Sequence, residues 1–263
     1  MRAVLTRDTL RSSEYIAALA QHGIIAVCLP VTHTSEALDQ AALLGAARVV
    51  ATYDVIGFAS HASVRPFVTA LAATARSLGP TTTVVAVGVA TQRTLAEHAI
   101  HATVAQPANA EGLAATVLAQ LAAQQRLGRG APARVLLPRA QDGRPEAAVA
   151  LRHAGLIVDE VIAYRTLARP LVSLSDAETQ LLSALRNGDI AVLCVFAPSQ
   201  VAALATLLGT GLSTGLGLPP TIAQRVIAIG ETTAQALYRA GISNVIVAQA
   251  PTPDALAAAA VLP

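Results

Sequence analysis

The sequence contains no lysine, because all eighteen of its basic residues are arginine. Without lysine, a chain cannot form a Schiff base with a carbonyl substrate through that side chain. It also lacks the lysine that a phosphate-binding P-loop or a protein kinase requires. Arginine stays protonated at physiological pH and presents a planar fork of N–H donors. We therefore expect the basic residues of this chain to bind anions.

Cysteine, aromatic residues and net charge are also scarce. The two cysteines are too few for a disulfide framework or a zinc site, and both Cys28 and Cys194 fall in apolar, strand-like runs that predict buried thiols. A net charge of +2, with 3% aromatic residues and no basic run, argues against binding to nucleic acid. An anionic small molecule remains compatible with this composition.

Long apolar runs are missing although 54% of the residues are hydrophobic. No run approaches the roughly 18 residues that span a bilayer. The segment 1–7 places an arginine after a short apolar run and lacks the features of a signal peptide. We therefore predict a soluble, cytoplasmic chain with no membrane partner.

One segment of the sequence occurs twice. Residues 84–91 read VVAVGVAT, and residues 226–233 read VIAIGETT. Chance similarity between two strand-to-helix junctions is the alternative, but the match continues to 104–107 and 247–251. A repeated strand, glycine turn and helix start indicates two related halves.

Apolar strand-like runs alternate with helical patterns along the whole chain. Strands are predicted at 3–5, 24–29, 55–59, 84–87, 103–105, 135–137, 158–164, 190–196, 226–229 and 244–247. Helices are predicted at 11–22, 62–78, 91–99, 111–125, 144–154, 176–186, 198–208, 232–240 and 252–260. This alternation predicts an α/β fold with doubly wound parallel sheets.

Two extended, proline-marked stretches, 30–36 and 163–170, indicate where the halves join. We predict that they form a two-stranded connector between two related α/β lobes. Residues 1–33 and 167–263 would then form a discontinuous lobe, and residues 37–163 an inserted one. The glycine-rich stretch 209–220 is expected to be a surface loop of the first of these lobes.

Motifs for cofactors and metals are not supported. Residues 211–215 match G-x-S-x-G, but they neither follow a predicted strand nor open a predicted helix, so we reject a nucleophile elbow. The glycine pairs near 128–130 and 209–211 do not complete a dinucleotide fingerprint. His98 and His101 lack a third metal ligand nearby. We therefore expect no cofactor and no metal.

Small hydroxyl residues mark the turns that follow several predicted strands. Thr91 and the pair Thr232 and Thr233 stand at helix N-termini, where free backbone N–H groups and the helix dipole attract anions. Ordinary N-capping by threonine is the alternative. Ser60 with Ala62, and Ser199, lie in a second pair of such turns. Ligands of doubly wound sheets bind outside the carboxyl ends of the strands, so these four turns are candidate substrate-binding segments.

Taken together, these segments make the chain resemble the uroporphyrinogen-III synthase family over nearly its whole length. The matching segments, in order, are Leu5-Thr6-Arg7, Pro30, Phe58-Ala59-Ser60, Val87-Gly88, Leu137-Pro138-Arg139, 161–166, Phe196-Ala197-Pro198-Ser199, 228–234 and Pro251-Thr252. Each segment alone is weakly specific, whereas their order and spacing are specific. The resemblance implies two α/β lobes on a two-stranded connector, with the active site between them.

The resemblance also implies a reaction. Family members cyclise linear hydroxymethylbilane, supplied by the preceding deaminase, to uroporphyrinogen III. Water is lost from ring A, and ring D is inverted through a spirocyclic intermediate. The resemblance implies a lyase that needs no cofactor and acts as a monomer. Without the enzyme the chain closes to the type I isomer, so positioning of the substrate selects the product.

Site residues follow from the resemblance position by position. Tyr164 matches the connector tyrosine that assists departure of the hydroxyl group, and a neutral tyrosine can donate the proton this requires. Thr233 matches an important threonine after the glycine turn, and Ser60 matches the hydroxyl of the inserted lobe's turn. This sequence departs from the family at Ala197, where serine is usual, and at Ala59, where threonine is common.

Two arginines follow predicted strands and are further candidates. Hydroxymethylbilane carries eight carboxylates, and Arg7 and Arg139 each lie just past the carboxyl end of a strand. We expect both to bind substrate carboxylates, with surface solvation or a local salt bridge as the alternative. Two other functions stay open: a non-catalytic tetrapyrrole-binding protein, and a two-lobed receptor for a small anion.

Overall fold

The computed structural model describes residues 1–126, 130–209 and 222–262. The G-x-S-x-G string at 211–215 and most of the glycine-rich stretch lie outside the described residues. The strands are β1 Arg2–Leu5, β2 Ile25–Cys28, β3 Thr32–Glu36, β4 Val55–Phe58, β5 Thr83–Ala86, β6 Thr103–Val104, β7 Arg134–Ala140, β8 Ile157–Ala168, β9 Val192–Val195, β10 Arg225–Ala228 and β11 Val245–Val247.

Helices connect most of these strands. They are α1 Ser13–Gln21, α2 Ala41–Arg48, α3 Val64–Ala73, α4 Val89–Ala96, α5 Ala110–Ala123, α6 Glu146–His153, α7 Asp176–Arg186, α8 Pro198–Leu208, α9 Glu231–Arg239 and α10 Pro253–Val261. Short 3-10 helices span Val50–Thr52, His61–Ser63 and Leu171–Ser173.

The chain divides into two compact units. Unit 1 consists of Met1–His33 and Leu167–Pro263, and unit 2 consists of Thr34–Thr166. Unit 1 contains a sheet in the order β11-β10-β9-β1-β2. Its strands pair in parallel, β1 with β2 and β9, and β10 with β9 and β11.

Side chains that alternate along each strand of unit 1 enter two separate cores. Val4 packs with α7, α8 and α9 on one face of the sheet, whereas Ala3 and Leu5 pack with α1 and α10 on the other. All three of these β1 residues are fully buried. A parallel strand that is buried on both faces has apolar residues at consecutive positions, which explains why the predicted strands are uninterrupted apolar runs in the sequence.

Unit 2 contains a sheet in the order β3-β8-β7-β4-β5-β6. The pairs β4 with β5, β4 with β7, β5 with β6, and β7 with β8 are parallel. One core lies against α2, α3 and α4, and the other lies against α5 and α6. Helices on both faces of parallel sheets confirm the predicted doubly wound α/β class.

The two units repeat one strand order. Unit 2 places β8-β7-β4-β5-β6 side by side as unit 1 places β2-β1-β9-β10-β11. Backbone contacts repeat as well, since Val87 N–H donates to Phe58 O at 2.9 Å and Ile229 N–H donates to Val195 O at 3.0 Å. The five strands of unit 2 are consecutive in the sequence, whereas unit 1 combines the first two strands of the chain with the last three.

Two details differ from the sequence-based predictions. Helix α2 was not predicted, although Leu43, Ala46 and Ala47 bury one face of it at helical spacing. Gly45 in its interior and the β-branched residues that follow lower the helical signal. Cys28 is only partly buried, whereas Cys194 is fully buried, and burial raises the pKa of the Cys194 thiol to about 12.

Candidate functional site

In unit 2, the turn after β4 is organised by Ser60. The Ala62 N–H donates to Ser60 Oγ at 3.1 Å, and Ser63 Oγ donates to the Ser60 carbonyl at 2.7 Å. Ser60 therefore caps the 3-10 helix that leads into α3, as serine commonly does at a helix start. Ala62 is one of the predicted substrate-binding residues, and its N–H is used by this cap.

Tyr164 contacts the same serine. It lies on β8, is 8% exposed, and donates from its hydroxyl to Ser60 Oγ at 3.0 Å. Ser60 Oγ thus accepts from two donors, Tyr164 and the Ala62 N–H. A hydroxyl oxygen has two lone pairs and one proton, so the Ser60 proton remains available for a further acceptor. Tyr164 and Ser60 therefore form a pair of hydroxyl groups that can transfer a proton to a further acceptor.

The turn after β5 lies beside the Ser60 turn, because Val87 N–H bonds to Phe58 O. Gly88 is the extended N-cap of α4, and Thr91 is the third residue of that helix, with 3% exposure. The Thr91 hydroxyl has no hydrogen-bond partner within the described part of the chain. The first turn of α4 contains no acidic residue, so its N–H groups present an unopposed positive dipole end.

Unit 1 repeats this arrangement after β10. Gly230 is the extended N-cap of α9, Thr232 is exposed, and Thr233 is 2% exposed. The Thr233 N–H donates to the Gly230 carbonyl at 3.1 Å, and its hydroxyl has no partner among the described residues. Glu231 places a carboxylate in the first turn, which weakens the attraction of this helix for an anion relative to α4.

The turn after β9 is built differently from its counterpart in unit 2. Ala197 occupies the N-cap that Ser60 occupies in unit 2 and provides no side-chain bond to α8. Ser199 is exposed, and its hydroxyl has no partner among the described residues. Gln200 supplies the bond instead, because its Oε1 accepts from the Phe196 N–H at 2.8 Å.

Gln200 and Phe196 are functional candidates that the sequence did not reveal. Gln200 is 8% exposed, and its Oε1 also accepts from Thr6 Oγ1 at 2.6 Å. Glutamine at the third position of a helix commonly reaches back to a free N–H near the helix start, and this was the one available signal. Its burial depends on β1 lying next to β9, which the sequence does not show.

Arg7 follows the carboxyl end of β1, as predicted. Its guanidinium carbon lies 4.8 Å from the ring centre of Phe196 and 5.4 Å from that of Tyr15. The two rings meet edge to face, with centres 5.0 Å apart. Burial raises the pKa of the Tyr15 hydroxyl, and the Arg7 cation opposes that rise. Arg7 has no carboxylate partner among the residues that the structure describes.

Arg139 has a different environment. Its Nε lies 2.7 Å from Glu160 Oε2, and its Nη1 donates to the carbonyls of Ala140, Gln141 and Gly143. The salt-bridge alternative therefore describes Arg139 in this structure, because the cation already pairs with Glu160, which it shares with Arg152, and donates to backbone carbonyls. It is a poorer candidate than Arg7 for binding a substrate carboxylate.

A cavity of about 380 Å³ lies elsewhere in unit 2, between α2 and β8. Its charged lining residues already have partners, because Arg152 pairs with Glu160 at 2.8 Å and Asp159 pairs with Arg134, outside the lining, at 2.8 Å. Tyr53 also donates to Asp159, and burial with this contact raises the pKa of Tyr53 to about 12. This cavity offers no unpaired charge for a ligand.

Two searches of the described residues concern clusters of metal ligands and membrane-spanning helices. No group of three or more His, Cys, Asp or Glu side chains in 1–126, 130–209 and 222–262 could hold a metal ion. Within the same ranges, no helix is long and apolar enough to cross a membrane.

The sequence matches one protein family over most of its length. Residues 13–258 match the family model described as "Uroporphyrinogen-III synthase HemD". No curated protein sequence matches the chain.

Two solved structures share the fold. A mutant uroporphyrinogen III synthase from the extremely thermophilic bacterium Thermus thermophilus is 20% identical with a TM-score of 0.58, and the match covers 97% of this chain and 95% of that one. Uroporphyrinogen-III synthetase from Helicobacter pylori is 17% identical with a TM-score of 0.55, covering 97% and 96%. At these identities the likeness shows the fold, and the family follows from the sequence match.

Proposed function

We propose that this chain, which belongs to the uroporphyrinogen-III synthase family of cyclising lyases, converts hydroxymethylbilane to uroporphyrinogen III with Tyr164 as its proton donor. The observation that carries this assignment is the hydrogen bond of 3.0 Å from the Tyr164 hydroxyl to Ser60 Oγ. It supports a role for Tyr164 because it fixes a protonated oxygen beside a second hydroxyl at the carboxyl ends of the strands of unit 2.

The first step is departure of the ring A hydroxyl group. The Tyr164 proton turns from Ser60 Oγ to the leaving oxygen. The carbon–oxygen bond then breaks, and departure of water leaves an azafulvene-type cation on ring A and a tyrosinate at Tyr164. The Ser60 proton can rotate towards the tyrosinate oxygen and stabilise its charge. Tyr164 thus provides the proton, and the Ser60 hydroxyl stabilises the negative charge that remains on the tyrosine oxygen.

Later steps use nucleophiles that belong to the substrate. The substituted α-carbon of ring D attacks the cation and forms the spirocyclic intermediate, and fragmentation and reclosure invert ring D. The final ring closure releases one proton, which can return to Tyr164 and restore its hydroxyl. The sum is hydroxymethylbilane to uroporphyrinogen III and water, so no oxidant or cofactor is required.

Selection of the type III isomer requires that the flexible substrate be held by its carboxylates. The first turn of α4 provides N–H groups and the Thr91 hydroxyl, and that of α9 provides Thr232 and Thr233. Ser199 adds an exposed hydroxyl and Arg7 a cation that no described acid neutralises. We also propose that the preceding deaminase supplies the substrate in the cytoplasm, and that the protein acts as a monomer.

The test is the isomer ratio of the product. Hydroxymethylbilane is generated in place by a deaminase, this protein is added, and the oxidised uroporphyrins are separated by chromatography. We expect predominantly type III product. Type I product at the level of the protein-free control would refute the activity and leave tetrapyrrole binding or small-anion binding as the function.

A further inference from the structure

We propose that Arg7 and Gln200 together bind one carboxylate of the tetrapyrrole substrate, at the carboxyl ends of β1 and β9 in unit 1. This inference rests on the proposed function, because it names two residues that hold the substrate of that reaction. It is carried by a comparison between the two units and by the hydrogen bonds of Gln200.

The comparison starts from Arg139 in unit 2. The register of β7 and β8 pairs Leu137 with Glu160, and Arg139 follows two residues after Leu137. The guanidinium lies 2.7 Å from the Glu160 carboxylate and bonds to three carbonyls. This arginine therefore has an acid partner and carbonyl acceptors within its own unit, although its Nε contact with Glu160 is an ion pair without hydrogen-bond geometry.

The matching position in unit 1 lacks the acid. Leu5 of β1 pairs with Cys28 of β2, so the neutral Cys28 stands where Glu160 stands in unit 2. Arg7 follows two residues after Leu5, as Arg139 follows Leu137. The nearest acid in sequence, Asp8, forms its ion pair with Arg11 at 3.5 Å. Arg7 thus keeps a charge that no described side chain neutralises.

Aromatic rings hold this charge in place. The guanidinium of Arg7 lies over Phe196 and Tyr15, at 4.8 and 5.4 Å from their ring centres. A cation held against ring faces loses less conformational freedom when it binds a ligand, and the edges of its planar fork stay available for a carboxylate. Unit 2 has the small Ala59 where unit 1 has Phe196, so this platform is particular to unit 1.

Gln200 supplies the second donor. The Phe196 N–H can only donate, so the side-chain atom 2.8 Å from it is the carbonyl oxygen Oε1 and not the amide nitrogen. Thr6 Oγ1, at 2.6 Å, bonds to the same oxygen. This fixes the amide orientation and leaves Nε2, which has no acceptor among the described residues. Gln200 is 8% exposed, and its Nε2 retains access to solvent, so this N–H can donate to a ligand that approaches from there.

The position of Gln200 explains how unit 1 can bind a substrate carboxylate without a serine at the Ala197 position. Thr6 and Phe196, the two residues that bond to Gln200, are neighbours of Arg7 and Ala197 respectively. An arginine fork and an amide N–H both require an oxygen acceptor, and one carboxylate satisfies both. The Gln200 amide therefore provides the polar contact that a hydroxyl provides at Ser60 in unit 2.

The decisive variants alter the charge and retain the packing. Gln200→Glu keeps the oxygen that accepts from Thr6 and Phe196 but replaces the N–H donor with a negative charge. Arg7→Gln removes the cation. Cys28→Glu installs an acid at the position from which Glu160 pairs with Arg139 in unit 2. Cys28→Gln is its neutral control, and Arg239→Gln is a control for loss of an exposed arginine. Titration with uroporphyrin III, which has eight carboxylates, measures binding, and the deaminase-coupled reaction measures KM and kcat.

We expect Arg7→Gln, Gln200→Glu and Cys28→Glu each to weaken uroporphyrin III binding and raise KM by about tenfold or more, with kcat changed by less than about threefold. Cys28→Gln and Arg239→Gln should stay within about twofold of the wild type. In the Arg7→Gln background, Cys28→Glu should add no further loss. A purely structural role of Gln200 predicts instead that Gln200→Glu binds normally, because the cap is retained.

The two proposals can fail separately. If the wild type yields type III product and all three variants match it in KM and in uroporphyrin III affinity, the Arg7 and Gln200 site is refuted and the synthase activity stands. If the wild type yields no type III product, the activity is refuted. The uroporphyrin III titration then judges the carboxylate site alone, and unchanged affinity in the variants overturns it.

Discussion

The Tyr164 hydroxyl donates a hydrogen bond of 3.0 Å to Ser60 Oγ across 104 positions of sequence. The two residues meet because β7 lies between β8, which carries Tyr164, and β4, which ends just before Ser60. Tyr164 is 8% exposed and Ser60 is half-buried, so the hydrogen bond between them is partly shielded from water. Such a bond orients the tyrosine proton without requiring an ionised partner.

Removal of the Tyr164 hydroxyl should lower kcat. A positioned proton donor contributes roughly a hundredfold or more to rate, so we expect Tyr164→Phe to reduce kcat about a hundredfold and to leave KM within about threefold. Steady-state kinetics of type III formation measures both constants. Tyr238→Phe, at an exposed tyrosine of α9, is the matched control and should retain full activity.

Ser60→Ala should act through the same hydrogen bond. We expect a smaller loss of kcat, about tenfold, because Tyr164 keeps its proton but loses its orientation and the stabilisation of its anion. The double variant should be no worse than Tyr164→Phe alone, since coupled residues are not additive. Fully multiplicative losses would show that the two hydroxyls act independently.

The buried threonines at the third position of α4 and α9 should affect binding more than stability. Thr91→Val and Thr233→Val preserve shape and remove hydroxyls that have no partner among the described residues. We expect KM to rise about tenfold for each, because a hydrogen bond to a charged group is lost, with an unchanged melting temperature. Thr206→Val, on the exposed face of α8, serves as the control. A fall in melting temperature with unchanged KM would assign these hydroxyls to the fold.

The α/β class could be predicted because parallel strands buried on both faces leave uninterrupted apolar runs. The predicted helices at 176–186 and 198–208 agree with α7 and α8 end to end. Helix α2 was not predicted, since Gly45 and the valines after it weaken the local helical preference. Its stability comes from packing of Leu43, Ala46 and Ala47 in the core of unit 2, and that information is not local.

The candidate site could be predicted only in part. Thr91 and Thr233 are apparent from the repeat, because each follows a glycine turn. The environments of Arg7 and Arg139 are not apparent, because both follow a predicted strand in the same way. Their difference depends on whether the neighbouring strand supplies Glu160 or Cys28, and strand order is a property of the folded chain.

The ion pair of Arg169 and Glu178 should make the stability of the protein depend on acid. Arg169 Nη1 lies 2.6 Å from Glu178 Oε1, and both side chains are less than a fifth exposed. Hydrogen bonds from Arg169, and further bonds from Ser175, lower the pKa of Glu178 from 4.5 to about 2. Because the folded state binds the proton more weakly than the unfolded state, this contribution is complete above pH 4.5 and is lost as pH falls towards about 2.

Glu178→Gln tests that contribution. We expect the variant to be less stable than the wild type by about 1.5 kcal/mol at neutral pH, with the difference shrinking between pH 4.5 and pH 2. Urea unfolding at a series of pH values measures it. Glu97→Gln, at the exposed C-terminus of α4, removes the same charge and should change stability by less than about 0.5 kcal/mol. A difference that stays constant down to pH 2 would assign the effect to packing.

Two glycines in helices of unit 2 should respond to alanine in opposite directions. At Gly112 in α5, a Cβ atom would lie 1.9 Å from the Pro107 carbonyl oxygen and 2.7 Å from the Pro107 nitrogen. Backbone atoms cannot move aside as a flexible side chain can, so α5 would have to shift from the 106–107 segment. We expect Gly112→Ala to lower the free energy of unfolding by about 3 kcal/mol, at the upper end of the cost of overpacking.

Gly45 in α2 provides the matched control, because a Cβ there would meet no atom within 4 Å. Alanine restricts the unfolded chain and favours a helix interior, so Gly45→Ala should raise the free energy of unfolding by about 0.5 to 1 kcal/mol. The urea midpoints of the two variants, followed by circular dichroism, should therefore move to opposite sides of the wild-type value. Equal midpoints would show that α5 can move away from Pro107 at little cost, and would contradict the close approach of helix and loop on which the prediction depends.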